Sequence, residues 1–292
     1  MKAHPEKKSL VFKNFPKLKL GLSTSNFLKA MPFTVSCLSE LIEYASSEGY
    51  QYIEVRDFNA DLTTDDCKVL AAVSKKYMIG MIYVFNKNPL DSGFFEVFER
   101  ALANVLIFPG PGILRALVSK SEFEADPLKK GWNKEELAQL VRLTDRCAAI
   151  AKANNIQFVV ENNNETFFGE GLSYFGLADF FEKSSGTGLQ LDIANLFCNT
   201  SRVTNDPDKV FSFLSRLGNR WIETHLKTVK EGEPQPVLTV NPLPVEKVVD
   251  LMGRMNVLFV TLELAAIADM QQCFDNHALS IQFLKDKGVL RN

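Results

Sequence analysis

Residues 156–162 read IQFVVEN, a short apolar run that ends on an acid and an amide. A buried strand gains nothing from a terminal carboxylate, so Glu161 marks the strand end as a place where chemistry is possible. Moving along the chain, the same arrangement recurs as LQLD at 189–192, IETH at 222–225 and VTLE at 260–263. The terminal groups Glu161, Asp192, His225 and Glu263 are spaced by 31, 33 and 38 residues, one strand and one helix each time.

Between and before these runs the pattern alternates in the same way. Strands are expected at Leu18–Thr24, Tyr52–Asp57, Met78–Phe85 and a short Val105–Phe108, the last stopped by Pro109-Gly110-Pro111-Gly112. Four more follow at Ile156–Glu161, Gly188–Asp192, Trp221–Lys227 and Val257–Leu264. Helical periodicity covers Val35–Glu48, Thr63–Tyr77, Phe94–Asn104, Lys134–Asn154, Leu177–Lys183, Asp208–Leu217, Val245–Met255 and Met270–Lys287. Apolar strands alternating with helices imply a parallel sheet covered by helices. Eight such units of about 34 residues close most simply into a single-domain α/β (β/α)8 TIM barrel over 18–292. Residues 1–17, basic and broken by Pro5 and Pro16, form an N-terminal extension. A doubly wound open sheet is the competing fold, but no Gly-x-Gly-x-x-Gly follows a strand.

Composition narrows the function. Of 292 residues, 46% are hydrophobic and 23% charged, enough for a full core and too apolar for disorder. A net charge of −2 gives no basic footprint for nucleic acid. No run reaches the ~20 apolar residues of a membrane span. The five cysteines are scattered, odd in number and without CxxC spacing, which suits reduced thiols in the cytoplasm. Only three histidines exist, and with His4 in the extension and His277 on the last helix, His225 alone is left for a site. Two long loops stand on the expected active face. Asn162–Phe175 carries Phe167, Phe168 and Tyr174, and the proline-rich Gly232–Pro244 reads equally as a lid or a connector. The linker Ser119–Asn133 reads as solvated.

A single strand-end acid is usually a helix cap or a surface ion-pair partner. Four in successive units, at one strand depth, place three carboxylates and an imidazole around one side of the barrel rim. Such crowding is costly to desolvate unless a cation neutralises it. Oxygen-rich ligation with one nitrogen suits Mn²⁺ best, with Mg²⁺, Co²⁺ or Zn²⁺ also compatible. Lys227 shares the strand face of His225 and is placed to offer charge to a substrate oxygen. Glu54 and Arg56, with Asn162 and Asn195, are candidates for hydrogen bonding substrate or orienting ligands, and Glu223 lies deeper on the His225 strand.

These residues resemble the xylose-isomerase-like barrels, which include sugar isomerases and epimerases, inosose dehydratase and endonuclease IV. The likeness rests on GYxxIE at Gly49–Glu54, VVEN at Val159–Asn162, LDIAN at Leu191–Asn195, HLK at His225–Lys227 and LEL at Leu262–Leu264. It implies that Glu161, Asp192, His225 and Glu263 bind one divalent ion, and that Glu161 and Glu263 form the proton-transfer pair flanking the substrate carbon. The implied activity is isomerisation or epimerisation of a small polyhydroxylated carbonyl compound through an enediolate. An inosose-type dehydratase on the same site and a non-catalytic carbohydrate-binding barrel are the alternatives. The implied partner is a small sugar or polyol-ketone, with no nucleic acid or membrane, and a homo-oligomer is left open. Asn195 replaces the histidine that ketose epimerases carry three residues after the aspartate, and Thr228 replaces the aspartate of H-x-K-D. One usable histidine rules out the trinuclear zinc site of endonuclease IV and the second metal of xylose isomerase proper.

Overall fold

The computed structural model describes residues 10–118, 132–162, 176–197, 206–239 and 244–291. Eight parallel strands close into a barrel: β1 (Lys19–Ser23), β2 (Tyr52–Arg56), β3 (Gly80–Phe85), β4 (Ile113–Val118), β5 (Gln157–Asn162), β6 (Gly188–Asp192), β7 (Trp221–Leu226) and β8 (Phe259–Leu262). The ring closes through β8 and β1, where Phe259 faces Lys19 and Leu262 faces Leu22. Each strand is followed by a helix: α1 (Val35–Glu48), α2 (Thr64–Tyr77), α3 (Phe94–Val105), α4 (Lys134–Ala153), α5 (Leu177–Lys183), α6 (Pro207–Leu217), α7 (Val245–Arg254) and α8 (Met270–Asp286).

Local chemistry sets these boundaries. Thr34 caps α1 by accepting from the Cys37 N–H, and Gly49 ends it at φ 90°, a left-handed turn that glycine makes without strain. Leu38, Leu41, Ile42 and Ala45 form the buried stripe between. Capping boxes at Thr63/Asp66 and Asn133/Glu136 start α2 and α4.

The core has two parts. The larger lies between strands and helices, and a smaller plug inside the barrel is made of Tyr52, Ile82, Val84, Ile113, Val159, Ile222 and Phe259. Gly21 makes room for that plug: a Cβ there would stand 2.2 Å from the Tyr52 ring. Above the plug the inward side chains turn polar, with Glu54, Arg115, Gln190, Glu223 and Thr261 all wholly buried. From Leu10 on, the extension packs onto the fold, with Val11–Phe12 pairing antiparallel with Leu290–Arg291.

The fourth strand is a correction. Val105–Phe108 is not a strand: Val105 ends α3 and Phe108 packs its ring 5.7 Å from Tyr83. The strand is Ile113–Val118, after the glycine-proline segment rather than before it. Pro109–Gly112 is a turn whose Pro109 carbonyl accepts from the Met81 N–H at 2.9 Å. Gly110 runs so close to β3 that a Cβ would lie 2.6 Å from the Met81 nitrogen.

Above the rim, Val229–Lys230 pairs with Glu233–Pro234 in a hairpin whose turn residues, Glu231 and Gly232, both have positive φ. Thr228 and Ala265 hold the segment after it through Gln235, so residues 229–239 are an ordered connector on the active face. Phe167, Phe168 and Tyr174 lie outside the described residues, as do 240–243 and most of the Ser119–Asn133 linker. No helix among the described residues is long and apolar enough to cross a membrane.

Candidate active site

Glu161 near the end of β5, Asp192 at the end of β6, His225 in β7 and Glu263 just past β8 converge at the carboxyl-terminal mouth of the barrel. One donor atom from each lies within 4.8 Å of the others. Donors sharing an ion at about 2.1 to 2.4 Å stand at most roughly 4.2 to 4.8 Å apart, so the cluster is compact enough to share one cation. His225 Nδ1 is 3.3 Å from Glu161 Oε1 and 3.8 Å from Asp192 Oδ2, and lies directly against Glu263 Oε2. Among the described residues, His225 Nδ1 and Glu263 Oε2 have no hydrogen bond beyond their ion-pair contact with each other, and both are buried where a shared ion would use them.

The second oxygen of each carboxylate is held from outside. Arg115 Nη1 stands 2.6 Å from Glu161 Oε2, as an ion pair rather than an aligned hydrogen bond. Arg56 reaches across the mouth, with Nη2 3.7 Å from Glu161 Oε2 and Nη1 3.4 Å from Glu263 Oε1. Lys227 Nζ lies 3.3 Å from Glu263 Oε1 and 3.5 Å from Asp192 Oδ2, and the Asn195 N–H donates to Asp192 Oδ1 at 3.0 Å. Glu161 and Glu263 therefore each turn one oxygen inward and give the other to cations.

Beneath this layer Glu54 faces the back of His225, its Oε2 2.8 Å from Nε2. Ser23 donates to Glu54 Oε1, and Gln190 Nε2 donates to both Glu54 and Glu223. Tyr52 and Thr261 donate to Glu223 Oε1. With Nε2–H given to Glu54, the lone pair of Nδ1 is left for an ion.

Two asparagines fix the strand ends. Asn162 accepts from the Asp192 N–H at 2.7 Å and donates to the Asp192 carbonyl at 2.9 Å. Asn26 does the same around Glu263, donating to the Leu262 carbonyl and accepting from the Leu264 N–H. The remaining Asn26 N–H faces His277 Nε2 at 2.9 Å, which leaves the Nδ1 proton of that ring for the Tyr50 oxygen.

The electrostatics follow from burial and these neighbours. Burial alone would push His225 down, but Glu54 and Glu263 outweigh it and hold the ring well above its usual range. Burial would raise Glu263, yet Arg56, Lys227 and His225 hold it well below the carboxylate range. Burial and the Glu54 charge push Glu223 up to about 7. Five carboxylates (Glu54, Glu161, Asp192, Glu223, Glu263) face three fixed cations (Arg56, Arg115, Lys227). With His225 neutral, two negative charges are left over, or one when Glu223 is protonated. A divalent ion matches that excess.

The structure brings the four expected ligands and Lys227 together. Of the candidates for hydrogen bonding substrate or orienting ligands, the structure places the Asn162 and Asn195 amides against main chain and ligand groups, and Glu54, fully buried, behind the histidine. Arg115, Gln190, Tyr52 and the Asn26–His277 pair escaped the sequence reading. A polar residue two places before a ligand (Gln190, Thr261) was the available signal for the lower layer.

No protein-family model matches the chain, and no curated protein matches it by sequence. Solved structures do match. A sugar phosphate isomerase/epimerase from Parabacteroides distasonis ATCC 8503 is 12% identical, with 98% of each chain covered and a TM-score of 0.67. A D-allulose 3-epimerase from Methylomonas sp., in complex with D-allulose, is 14% identical over 96% of this chain and 99% of that one, at 0.67. A xylose isomerase-like TIM barrel protein from Mycobacterium smegmatis, in complex with magnesium, is 14% identical over 92% and 97%, at 0.60. At such identities the likeness is one of architecture, and the chain has the fold of the xylose isomerase-like TIM barrels.

Proposed function

We propose that the protein is a divalent-metal-dependent isomerase or epimerase that enolises a small polyhydroxylated carbonyl compound. The observation that carries this reading is the clustering of one ligand atom each of Glu161, Asp192, His225 and Glu263 within 4.8 Å of one another. A bound divalent ion would polarise the substrate carbonyl and stabilise the negative charge that gathers on its oxygen.

The two glutamates supply the proton transfers. Glu263, kept ionised by Arg56 and Lys227, takes the proton from the hydroxyl-bearing carbon beside the carbonyl. The C–H electron pair becomes the new C=C bond and the carbonyl π pair moves to oxygen. For epimerisation Glu161, having taken a proton from solvent before the step, delivers that proton to the opposite face of the carbon while Glu263 releases its own to solvent; for isomerisation the carboxylate that took the proton returns it to the neighbouring carbon. Arg56 touches both acids and fixes their separation. Lys227 stands over Asp192 and Glu263, where an enediolate oxygen would lie.

The test has two parts. Protein purified without chelator should carry, or take up on titration, close to one equivalent of divalent metal, with Mn²⁺ preferred. Loaded protein should then incorporate solvent deuterium into at least one member of a panel of ketoses, inososes and hydroxylated oxo-acids. Exchange accompanied by loss of water would assign the dehydratase instead. Metal uptake below a tenth of an equivalent, with no exchange, would overturn the proposal.

A further inference from the structure

The charged groups around His225 are graded in depth. The side chains of Arg56 and Lys227 keep 13% and 11% of their surface in solvent, against 3%, 0% and 5% for Glu161, Asp192 and Glu263. Among the described residues of this cluster, the two cations are therefore more open to solvent than the three acids.

Those cations also have capacity to spare. Their contacts with the acids run from 3.3 to 3.7 Å, whereas Arg115 approaches Glu161 to 2.6 Å. Arg56 Nε is buried and has no hydrogen-bond partner among the described residues. Lys227 divides three N–H donors between two distant oxygens. Neutral sugars are usually oriented by amides and hydroxyls, but the Asn162 amide and the Asn195 NH₂ are turned onto main chain.

We infer that the substrate is a hydroxylated oxo-acid whose carboxylate is held by Arg56 and Lys227 beside the carbon that enolises. This rests on the enolising reading above and narrows its substrate class. Position favours a carboxylate over a phosphate ester. Arg56 lies within 3.7 Å of both Glu161 and Glu263, so an anion it binds sits a bond or two from the carbon between them. A terminal phosphoryl group on a sugar chain would lie several bonds away. Enolisation next to a carboxylate also gathers a second negative charge, and a planar guanidinium paired with an ammonium suits that load.

Calorimetry with unreactive ligands tests this on the metal-loaded protein, or on the protein as purified if it takes up no metal. Four- to six-carbon aldonates are each compared with the alditol of the same skeleton and with that alditol's terminal phosphate. The best aldonate should bind at least about tenfold tighter than both counterparts. Arg56→Gln and Lys227→Met should each shrink that preference to within about threefold, and Arg56→Lys should retain more of it than Arg56→Gln. Equal binding of aldonate and alditol, tighter binding of the phosphate, or no aldonate binding would overturn the inference. So would a preference that survives in the double variant, since the ion itself would then be the anion's partner. None of these ligands enolises, so deuterium exchange into a neutral ketose alongside equal aldonate and alditol binding would retain the enolising reading while removing this one.

Discussion

His225 Nε2 and Glu54 Oε2 stand 2.8 Å apart with neither side chain exposed. The carboxylate sets the ring's tautomer and aims Nδ1 at the three acids above it.

Removing the charge behind the ring should weaken the metal site without touching a ligand. Glu54→Gln is expected to lower Mn²⁺ affinity about 10- to 100-fold. Titration calorimetry of variant and parent, at one pH, measures it.

Metal binding should also release a proton. His225 is held well above its ordinary range, so without an ion it is protonated at pH 7, and ligation requires the neutral ring. Close to one proton per ion should appear at pH 7, and affinity should rise about tenfold per pH unit until the ring deprotonates. Calorimetry in buffers of different ionisation enthalpy counts the proton; a count near zero would contradict the stated charge of the ring.

Arg115 is wholly buried against Glu161, with Glu54 3.8 Å away. Arg115→Met takes from Glu161 its nearest guanidinium and from Glu54 one of its cations, and should cost about 3–5 kcal/mol in chemical denaturation.

His277 predicts a pH dependence remote from the ligands. Burial pushes its pKa down from 6.5 to about 3. Below pH 6.5 the unfolded chain binds a proton that the folded ring refuses, so stability falls with acidification down to about pH 3. The slope should be roughly 1.4 kcal/mol per pH unit. Urea denaturation of parent and His277→Gln across that window should differ by this slope, the other acids cancelling in the comparison.

Clamping can be tested alone. Asn162→Ala leaves the Asp192 N–H and carbonyl without partners and should destabilise by about 1–3 kcal/mol per orphaned group. Metal affinity should drop with it, because the Asp192 main chain loses its clamp and the carboxylate is then held only by the Asn195 N–H and Lys227.

The ligand end of the barrel was legible because each donor closes an apolar run, and Glu161, Asp192, His225 and Glu263 recur once per unit. The fourth strand was hidden by an ambiguity of period. Val105–Phe108 is as apolar as a strand, and only the tertiary fit shows it to be the end of α3 and the turn after it, packed against Tyr83. Misplacing that strand concealed Arg115, which sits in its centre. Which of their two expected roles Asn162 and Glu54 take was undecided in the sequence for another reason. An amide or acid beside a ligand looks the same in sequence whether it faces substrate or main chain, and only the hydrogen bonds distinguish them.

The asparagine clamps at Asp192 and Glu263 put a side chain where a neighbouring strand's main chain would run, so sheet-like bonding continues past the last paired residues. Two of the four donors thus stand in a frame with little slack before any ion arrives. A frame of that kind sorts ions by radius, because a cation of the wrong size would have to move the clamped main chain at Asp192 and Glu263.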